Sequence, residues 1–124
     1  MGLDMYLTRK RKSFNNEVKT TEIGYWRKVN QIFKAFIDIN EDALECNEIE
    51  VTLKQLIEIR NLCNQVLQDN SLAEKLLPPL KGFFFGTYDF DEWYFEDLKN
   101  TIVIIDYVKL MHWHGDKYIF QASW

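Results

Sequence analysis

Two segments with the alternating pattern of a β-strand enclose the rest of the chain, and they constrain its fold more than any other feature. Apolar and polar side chains alternate over residues 2–8 and again over residues 117–124. A strand needs a hydrogen-bonded neighbour, and pairing of these two strands with each other would satisfy both. The sequence therefore predicts a sheet in which the first and last strands are tethered together.

Between these strands, apolar residues recur at helical spacing, first in a segment that extends from Ile23 to Phe36. Thr20 or Thr21 can cap this first helix, because a threonine hydroxyl accepts a hydrogen bond from the free amides of the first turn. The preceding residues 9–21 start with a basic run and continue as a polar segment. We expect them to form an exposed, mobile loop.

The second and third helices each start at a recognisable capping box. Thr52 with Gln55 opens a helix that extends to about Gln68, and Asp89 with Glu92 opens the longest helix of the chain. The residues predicted to be buried are Leu56, Ile59, Cys63 and Val66 in the second helix, and Tyr94, Leu98, Ile102, Ile105 and Val108 in the third, which extends to about Met111.

Two short strands complete the predicted order of elements. One is residues 48–51, and the other is the "GFFFG" segment at 82–86, which glycines bound on both sides. The resulting order is β-α-β-α-β-α-β, and a length of 124 residues is typical of one domain. We therefore expect an α+β fold in a single domain over residues 1–124. Three helices would pack on a small, mostly antiparallel sheet of about four strands.

The charge of the chain is unevenly distributed. There are 19 acidic and 15 basic residues, and the formal net charge of −4 argues against a general nucleic-acid-binding protein. The bases from Arg9 to Lys12 are consecutive, whereas acids are concentrated in residues 38–50 and 89–97. An acidic surface can stay solvated, repel or mimic nucleic acid, or attract a basic protein. We expect no specific nucleic-acid binding.

Familiar catalytic and metal-binding motifs are absent from the sequence. It contains no phosphate loop, dinucleotide fingerprint or nucleophile elbow, so no catalytic residue is predicted and a non-enzymatic role is favoured. Cys46 and Cys63 lack zinc-site spacing and are expected to be free thiols. His112 and His114 lie near a helix end, where the helix dipole favours them, and no further ligand at suitable spacing accompanies them. We expect neither a metal nor a cofactor.

The sequence also gives an expectation for the location of the protein. No apolar segment typical of a secretory signal follows the start of the sequence. The longest apolar run, residues 102–105, is too short to span a membrane. We therefore expect a cytoplasmic protein without a membrane segment.

Residues 86–97 combine five acidic and five aromatic side chains and form the first candidate site. Acids at a helix N-terminus suit the helix dipole, and the aromatic residues could pack inward, so the segment has a purely structural interpretation. Trp93, however, lies off the predicted core face, and an exposed tryptophan beside acids is typical of a partner-binding anchor. The predicted partner-binding residues are Asp89, Asp91, Trp93 and Asp97.

A second candidate site centres on Asp4. Asp4 and Tyr6 share one face of the first predicted strand, and a helix over that face would bury the Asp4 carboxylate, which would then need a partner. Arg27 or Lys28 could supply it, either as a structural ion pair or as part of a ligand site. The possible ligand pocket consists of Asp4, Tyr6, Tyr25, Arg27 and Lys28, with the Asp89–Trp93 segment beside it.

Several separated blocks of the sequence resemble a family of small, uncharacterised proteins encoded by bacteriophages and prophages. These blocks are "MGLDMYL" at the start, "EIGYWRK" at 22–28, "GFFFG" at 82–86, "YDFDEWYFEDL" at 88–98 and the final "QASW". The resemblance covers nearly the whole chain in one order. It implies a phage-derived protein of the bacterial host cytoplasm, and it supplies no activity or catalytic residue.

Three functions remain open from the sequence. The first is a non-enzymatic protein that binds a host protein, for example an antagonist of a defence factor, through an acidic and aromatic surface. The second is a protein that binds a small, nucleotide-like ligand, or an undescribed enzyme, with a pocket around Asp4, Arg27 and Asp89. The third is a structural homo-oligomer with aromatic side chains at its interface.

Overall fold

The computed structural model describes residues 2–81 and 89–124. They form one four-stranded antiparallel sheet and four α-helices, so the predicted α+β class is confirmed. The strands are β1 (Asp4–Lys12), β2 (Val18–Arg27), β3 (Ile49–Val51) and β4 (Lys117–Ser123), and the helices are α1 (Asn30–Ile39), α2 (Leu53–Gln68), α3 (Ala73–Leu76) and α4 (Glu92–Met111). Short 3-10 helices span Glu41–Glu45 and Asn70–Leu72.

The terminal strands pair with each other, as the sequence predicts. The order in the sheet is β2-β1-β4-β3, so β1 lies between β2 and β4. Met5 is opposite Trp26 on one side and opposite Ala122 on the other, and all three side chains are buried. The alternation in β1 and β4 therefore gives the sheet one apolar face, which α1 and α4 cover.

The prediction for residues 9–27 is wrong except at residues 13–17, which form an exposed turn between β1 and β2. The basic run continues β1 as far as Lys12 instead of forming a mobile loop, and β2 occupies the predicted start of the first helix. A bulge explains the misleading helical spacing: Leu7 is opposite Gly24 and Thr8 is opposite Glu22, which leaves Ile23 as an extra residue. The bulge shifts the alternation of β2, so its apolar residues no longer follow a period of two.

Aromatic side chains fill the core between the sheet and the helices. The Phe36 ring of α1 stacks on Phe120 of β4 with a centroid separation of 3.8 Å, and it meets Trp26 edge-on at 5.8 Å. The Trp26 indole donates a hydrogen bond of 2.9 Å to the hydroxyl of Thr101 in α4. The buried indole N–H therefore has a hydrogen-bond partner. These contacts pack α1 and α4 against the same face of the sheet.

Helix α2 follows its sequence prediction closely. The Thr52 hydroxyl accepts from the Gln55 amide, and the Gln55 side chain accepts from the Thr52 amide, which completes the capping box. The four residues predicted for its buried face, Leu56, Ile59, Cys63 and Val66, are all buried. Burial raises the pKa of the Cys63 thiol to about 12, which keeps it protonated and unreactive at neutral pH.

The cap of α4 lies two residues later than predicted. Asp91, and not Asp89, is the capping residue, because its carboxylate accepts a hydrogen bond of 3.0 Å from the Tyr94 amide. The predicted buried face is otherwise correct except at Ile102, which is half-buried. A Cβ at Gly24 would lie 2.8 Å from the Ile104 side chain, so only glycine permits this approach of α4 to β2. The strand predicted at 82–86 lies outside the described residues.

Across residues 2–81 and 89–124, the structure contains no helix with the length and apolar character that a membrane crossing requires.

Candidate functional site

The first candidate site is the acidic–aromatic surface, which we define as residues 89–97. The Asp91 cap fixes the direction of the first turn of α4, and this turn points the Trp93 side chain away from the core. Trp93 is 67% exposed, and Phe90 is also exposed although its ring meets Tyr94 edge-on at 5.1 Å. The prediction that Trp93 lies off the core face is therefore confirmed.

The carboxylates of the acidic–aromatic surface have unequal environments. Asp89 and Glu92 are exposed, and Glu96 is within 3.2 Å of the Lys99 ammonium group. Asp97 is half-buried, and its burial raises its pKa to about 6 although the Gln31 side chain donates a hydrogen bond to it. Exposed negative charge near Trp93 in the sequence therefore comes mainly from Asp89 and Glu92.

The second candidate site is a patch on the uncovered face of the sheet, which we call the tyrosine patch: Asp4, Tyr6, Tyr25 and Arg27. Asp4 is opposite Arg27 and Tyr6 is opposite Tyr25, so cross-strand pairing places the four side chains on one face. The tyrosine ring centroids are 5.4 Å apart. The Tyr25 hydroxyl donates a hydrogen bond to the Asp4 carboxylate, and this bond raises the pKa of Tyr25.

The geometry of the tyrosine patch differs from the predicted pocket in two ways. The partner of Asp4 is the Tyr25 hydroxyl, and no ion pair among the described residues joins Asp4 to Arg27 or Lys28. Asp89 is not part of the patch, because it precedes α4, which packs on the opposite face of the sheet. Arg27 and Lys28 lie within the predicted first helix, so the sequence does not predict this cross-strand arrangement.

A third cluster, at the C-terminal end of α4, was not predicted from the sequence. The Arg11 guanidinium donates hydrogen bonds of 2.9 and 2.7 Å to the two carboxylate oxygens of Asp116, and one of 2.8 Å to the carbonyl oxygen of Met111. It also lies 3.9 Å from the ring centroid of Trp113. Arg11 therefore holds the last turn of α4 against β1, which is a structural task.

The two histidines near this cluster have different surroundings. His112 caps the C-terminus of α4, and its Nδ1 lies 2.5 Å from the Tyr118 hydroxyl. His114 is exposed in the turn before β4. In the described part of the chain, no group of three or more histidine, cysteine or acidic side chains is arranged to hold a metal ion.

A cleft of about 230 Å³ lies between α1, α2 and the segment after α3. Its polar lining consists of Gln31, Lys34, Asp38, Gln55 and Glu58, and Lys34 forms an ion pair with Asp38 at 2.6 Å. Gln31 also binds Asp97, so the cleft adjoins the acidic–aromatic surface. None of the predicted site residues lines this cleft.

Comparisons of the chain with protein-family models, with curated proteins and with solved structures each found no match. The function therefore has to be inferred from the chemistry of the clusters described above.

Proposed function

We propose that the protein is a phage- or prophage-derived, non-enzymatic binding protein that antagonises a host protein through the acidic–aromatic surface. One observation carries this proposal: Trp93 exposes two-thirds of its surface at a fixed position in the first turn of α4, and its side chain has no hydrogen bond or ring contact with the described residues. Tryptophan is enriched among the residues that dominate binding energy, since it buries a large area with little loss of conformational freedom. An indole that is exposed and lacks such contacts is costly unless a partner covers it.

The charges around Trp93 indicate the chemistry of the partner. Asp89 and Glu92 precede Trp93 in the sequence and are exposed, and the chain as a whole is acidic. Complementary charge accelerates encounter and fixes orientation, so the best partner surface is basic with an apolar recess for the indole. Asp91 and Asp97 contribute less to the attraction of a basic partner than Asp89 and Glu92, because Asp91 caps the helix and Asp97 is half-buried.

The proposal is tested by comparing variants of the tagged protein in capture from a bacterial lysate. We expect Trp93→Ala to lose the captured protein, and Glu92→Lys to weaken capture more strongly at low than at high salt. Both positions are exposed, so neither change should unfold the protein. Identification by mass spectrometry and a titration with the purified partner would then give the loss in affinity, expected to be at least about tenfold for Trp93→Ala.

Leu110→Ala is the matched control for this experiment. Leu110 lies on the same helix and is 79% exposed, but it is remote from the acidic–aromatic surface. Equal capture by the wild-type protein, Trp93→Ala and Leu110→Ala would contradict the proposal. Loss of capture with Leu110→Ala alone, together with dissociation of a dimer in sedimentation, would instead favour a structural homo-oligomer.

A second candidate function is supported by the tyrosine patch. Two neighbouring aromatic rings with a carboxylate and a guanidinium on one exposed face can stack on a base and bond its edge. Titration with nucleosides, followed by NMR of the backbone amides, tests this function. Shifts that are confined to β1 and β2 and disappear in Tyr25→Ala would support it, whereas unchanged spectra would exclude it.

A further inference from the structure

A concave surface lined by three lysines lies at one end of the uncovered face of the sheet. Lys10 and Lys12 of β1, Lys117 of β4 and Val18 of β2 line it together with Gly115 in the turn before β4, and its volume is about 290 Å³. We call it the lysine concavity. It is separate from the acidic–aromatic surface, so it does not depend on the function proposed above.

The strand register explains why these side chains converge. Alternate residues of β1 face the same side, so Lys10 and Lys12 lie on the face that also carries Tyr6. Lys117 is directly opposite Lys10, and Val18 is directly opposite Lys12. Gly115 has a φ of +90°, which lets the turn bend beside Lys117 without a side chain that would close the concavity.

This arrangement of charge costs stability in the free protein. Like charges directly opposite each other on neighbouring strands are destabilising, and Lys10 and Lys117 are such a pair. The ion pairs that the described residues form do not include any of the three lysines. The neighbouring acid, Asp116, has its side chain 1% exposed and is bound by Arg11 on the other face of the sheet. Glu22 is opposite Thr8 and does not line the concavity.

The charge of these three lysines favours an anion with several negative charges. Lysine ammonium groups bind phosphate oxygens as point charges. The three lysines line the concavity mainly with their apolar stems, and these flexible side chains can turn their ammonium groups toward a chain of phosphates. Tyr6 lies four residues before Lys10 on the same face, which is roughly 14 Å along the strand at about 3.4 Å per residue. A base that stacks on the tyrosine patch could thus extend its phosphates toward the lysines.

We propose that the lysine concavity is a binding site for the polyphosphate group of a small ligand, either inorganic polyphosphate or the phosphate tail of a nucleotide. The bound ligand neutralises the repulsion between Lys10 and Lys117, so binding also stabilises the sheet.

Calorimetric titration of the full chain with sodium triphosphate and, separately, with ATP tests this proposal. Both anions should bind, and the double variant Lys10→Gln/Lys117→Gln should weaken binding at least about tenfold. The control Lys54→Gln/Lys75→Gln removes the same charge from exposed helical positions and should change the affinity less than about twofold. If ATP binds more tightly than triphosphate, and Tyr25→Ala removes this additional affinity, the polyphosphate group that the site binds belongs to a nucleotide.

A second measurement tests the repulsion itself. Without ligand, Lys10→Gln should raise the midpoint of thermal unfolding, because it removes one charge of the opposed pair. Added triphosphate should raise the midpoint of the wild-type protein but not that of the double variant. Absence of binding by both anions, equal weakening in the control variant, or far tighter binding of a single-stranded oligonucleotide through the same lysines would overturn the proposal.

Discussion

The two ends of α4 each carry an exposed tryptophan, but the two side chains have different surroundings. Trp113, 62% exposed, stacks on Arg11, and its amide donates a hydrogen bond of 2.9 Å to Asp116. The Trp93 side chain, 67% exposed, has no hydrogen bond or ring contact with the described part of the chain. Exposure alone is therefore weak grounds for a binding role, because the position of Trp113 is explained by the fold whereas that of Trp93 is not.

Between the two tryptophans, α4 is held by its buried face, and the largest expected effect on stability is there. Leu98 is fully buried, so Leu98→Ala should lower the free energy of unfolding by roughly 2–5 kcal/mol. Ile102, one turn further on, is half-buried, so Ile102→Ala should lower the free energy of unfolding clearly less. Urea denaturation of both variants measures the difference. Equal losses would show that the core face of α4 is assigned incorrectly.

The next largest effect is expected where Arg11 holds the C-terminal end of α4. Arg11→Gln leaves the inaccessible Asp116 carboxylate without its ion pair, so the urea midpoint at pH 7 should fall. Arg60→Gln is the control, because the Arg60–Asp106 pair is more exposed. If both variants unfold at the same urea concentration, Arg11 does not hold the end of the helix.

The pH dependence of the Arg11 effect has a definite sign. The hydrogen bond from Arg11 lowers the pKa of Asp116 below its value in the unfolded chain. The stabilisation is therefore complete above the unfolded pKa and is lost as the pH falls through the folded pKa. The difference between wild type and Arg11→Gln should accordingly be constant near neutral pH and shrink in acid.

Asp97, at the N-terminal end of α4, should show the opposite dependence. Burial raises its pKa to about 6, so the folded state favours the protonated acid and loses stability as the pH rises from about 4 through about 6. Asp97→Asn should therefore raise the urea midpoint at pH 7 and leave it unchanged below pH 4. A lower midpoint at pH 7 would mean that the carboxylate is stabilised by its surroundings.

Local rules predicted the parts of the fold that depend on neighbouring residues. The capping box at Thr52 and Gln55 positioned α2 correctly, and helical spacing identified its buried face, because both depend on contacts within one or two turns. The exposed position of Trp93 followed in the same way from the direction of α4. The pairing of β1 with β4 is the exception, because it joins distant residues and was nevertheless predicted: the alternation at each end of the chain indicated a strand that needed a neighbour.

Contacts between distant residues account for what the sequence did not predict. The bulge at Ile23 depends on how β2 pairs with β1. In the sequence alone, Ile23 and Trp26 are three residues apart, which is the spacing of a helix. Arg11 and Asp116 are 105 positions apart, so their ion pair leaves no local pattern. Asp89 and Asp91 are equally good capping residues by type, and the inward packing of Tyr94 favours Asp91.

The smallest expected effect on stability, and the sharpest test of the comparison, comes from the two tryptophans themselves. Trp93→Ala should change the free energy of unfolding by less than about 1 kcal/mol, because the indole is exposed and contacts little. Trp113→Ala should cost more, since it also removes the contact with Arg11, and cation–π contacts at exposed sites contribute about 0.5–1 kcal/mol. Urea denaturation at low and high salt measures the stability loss of both variants. Affinity for the captured partner should follow the reverse order, with the larger loss for Trp93→Ala. A larger stability loss for Trp93→Ala than for Trp113→Ala would make Trp93 part of the core and remove the main reason for assigning the acidic–aromatic surface a function.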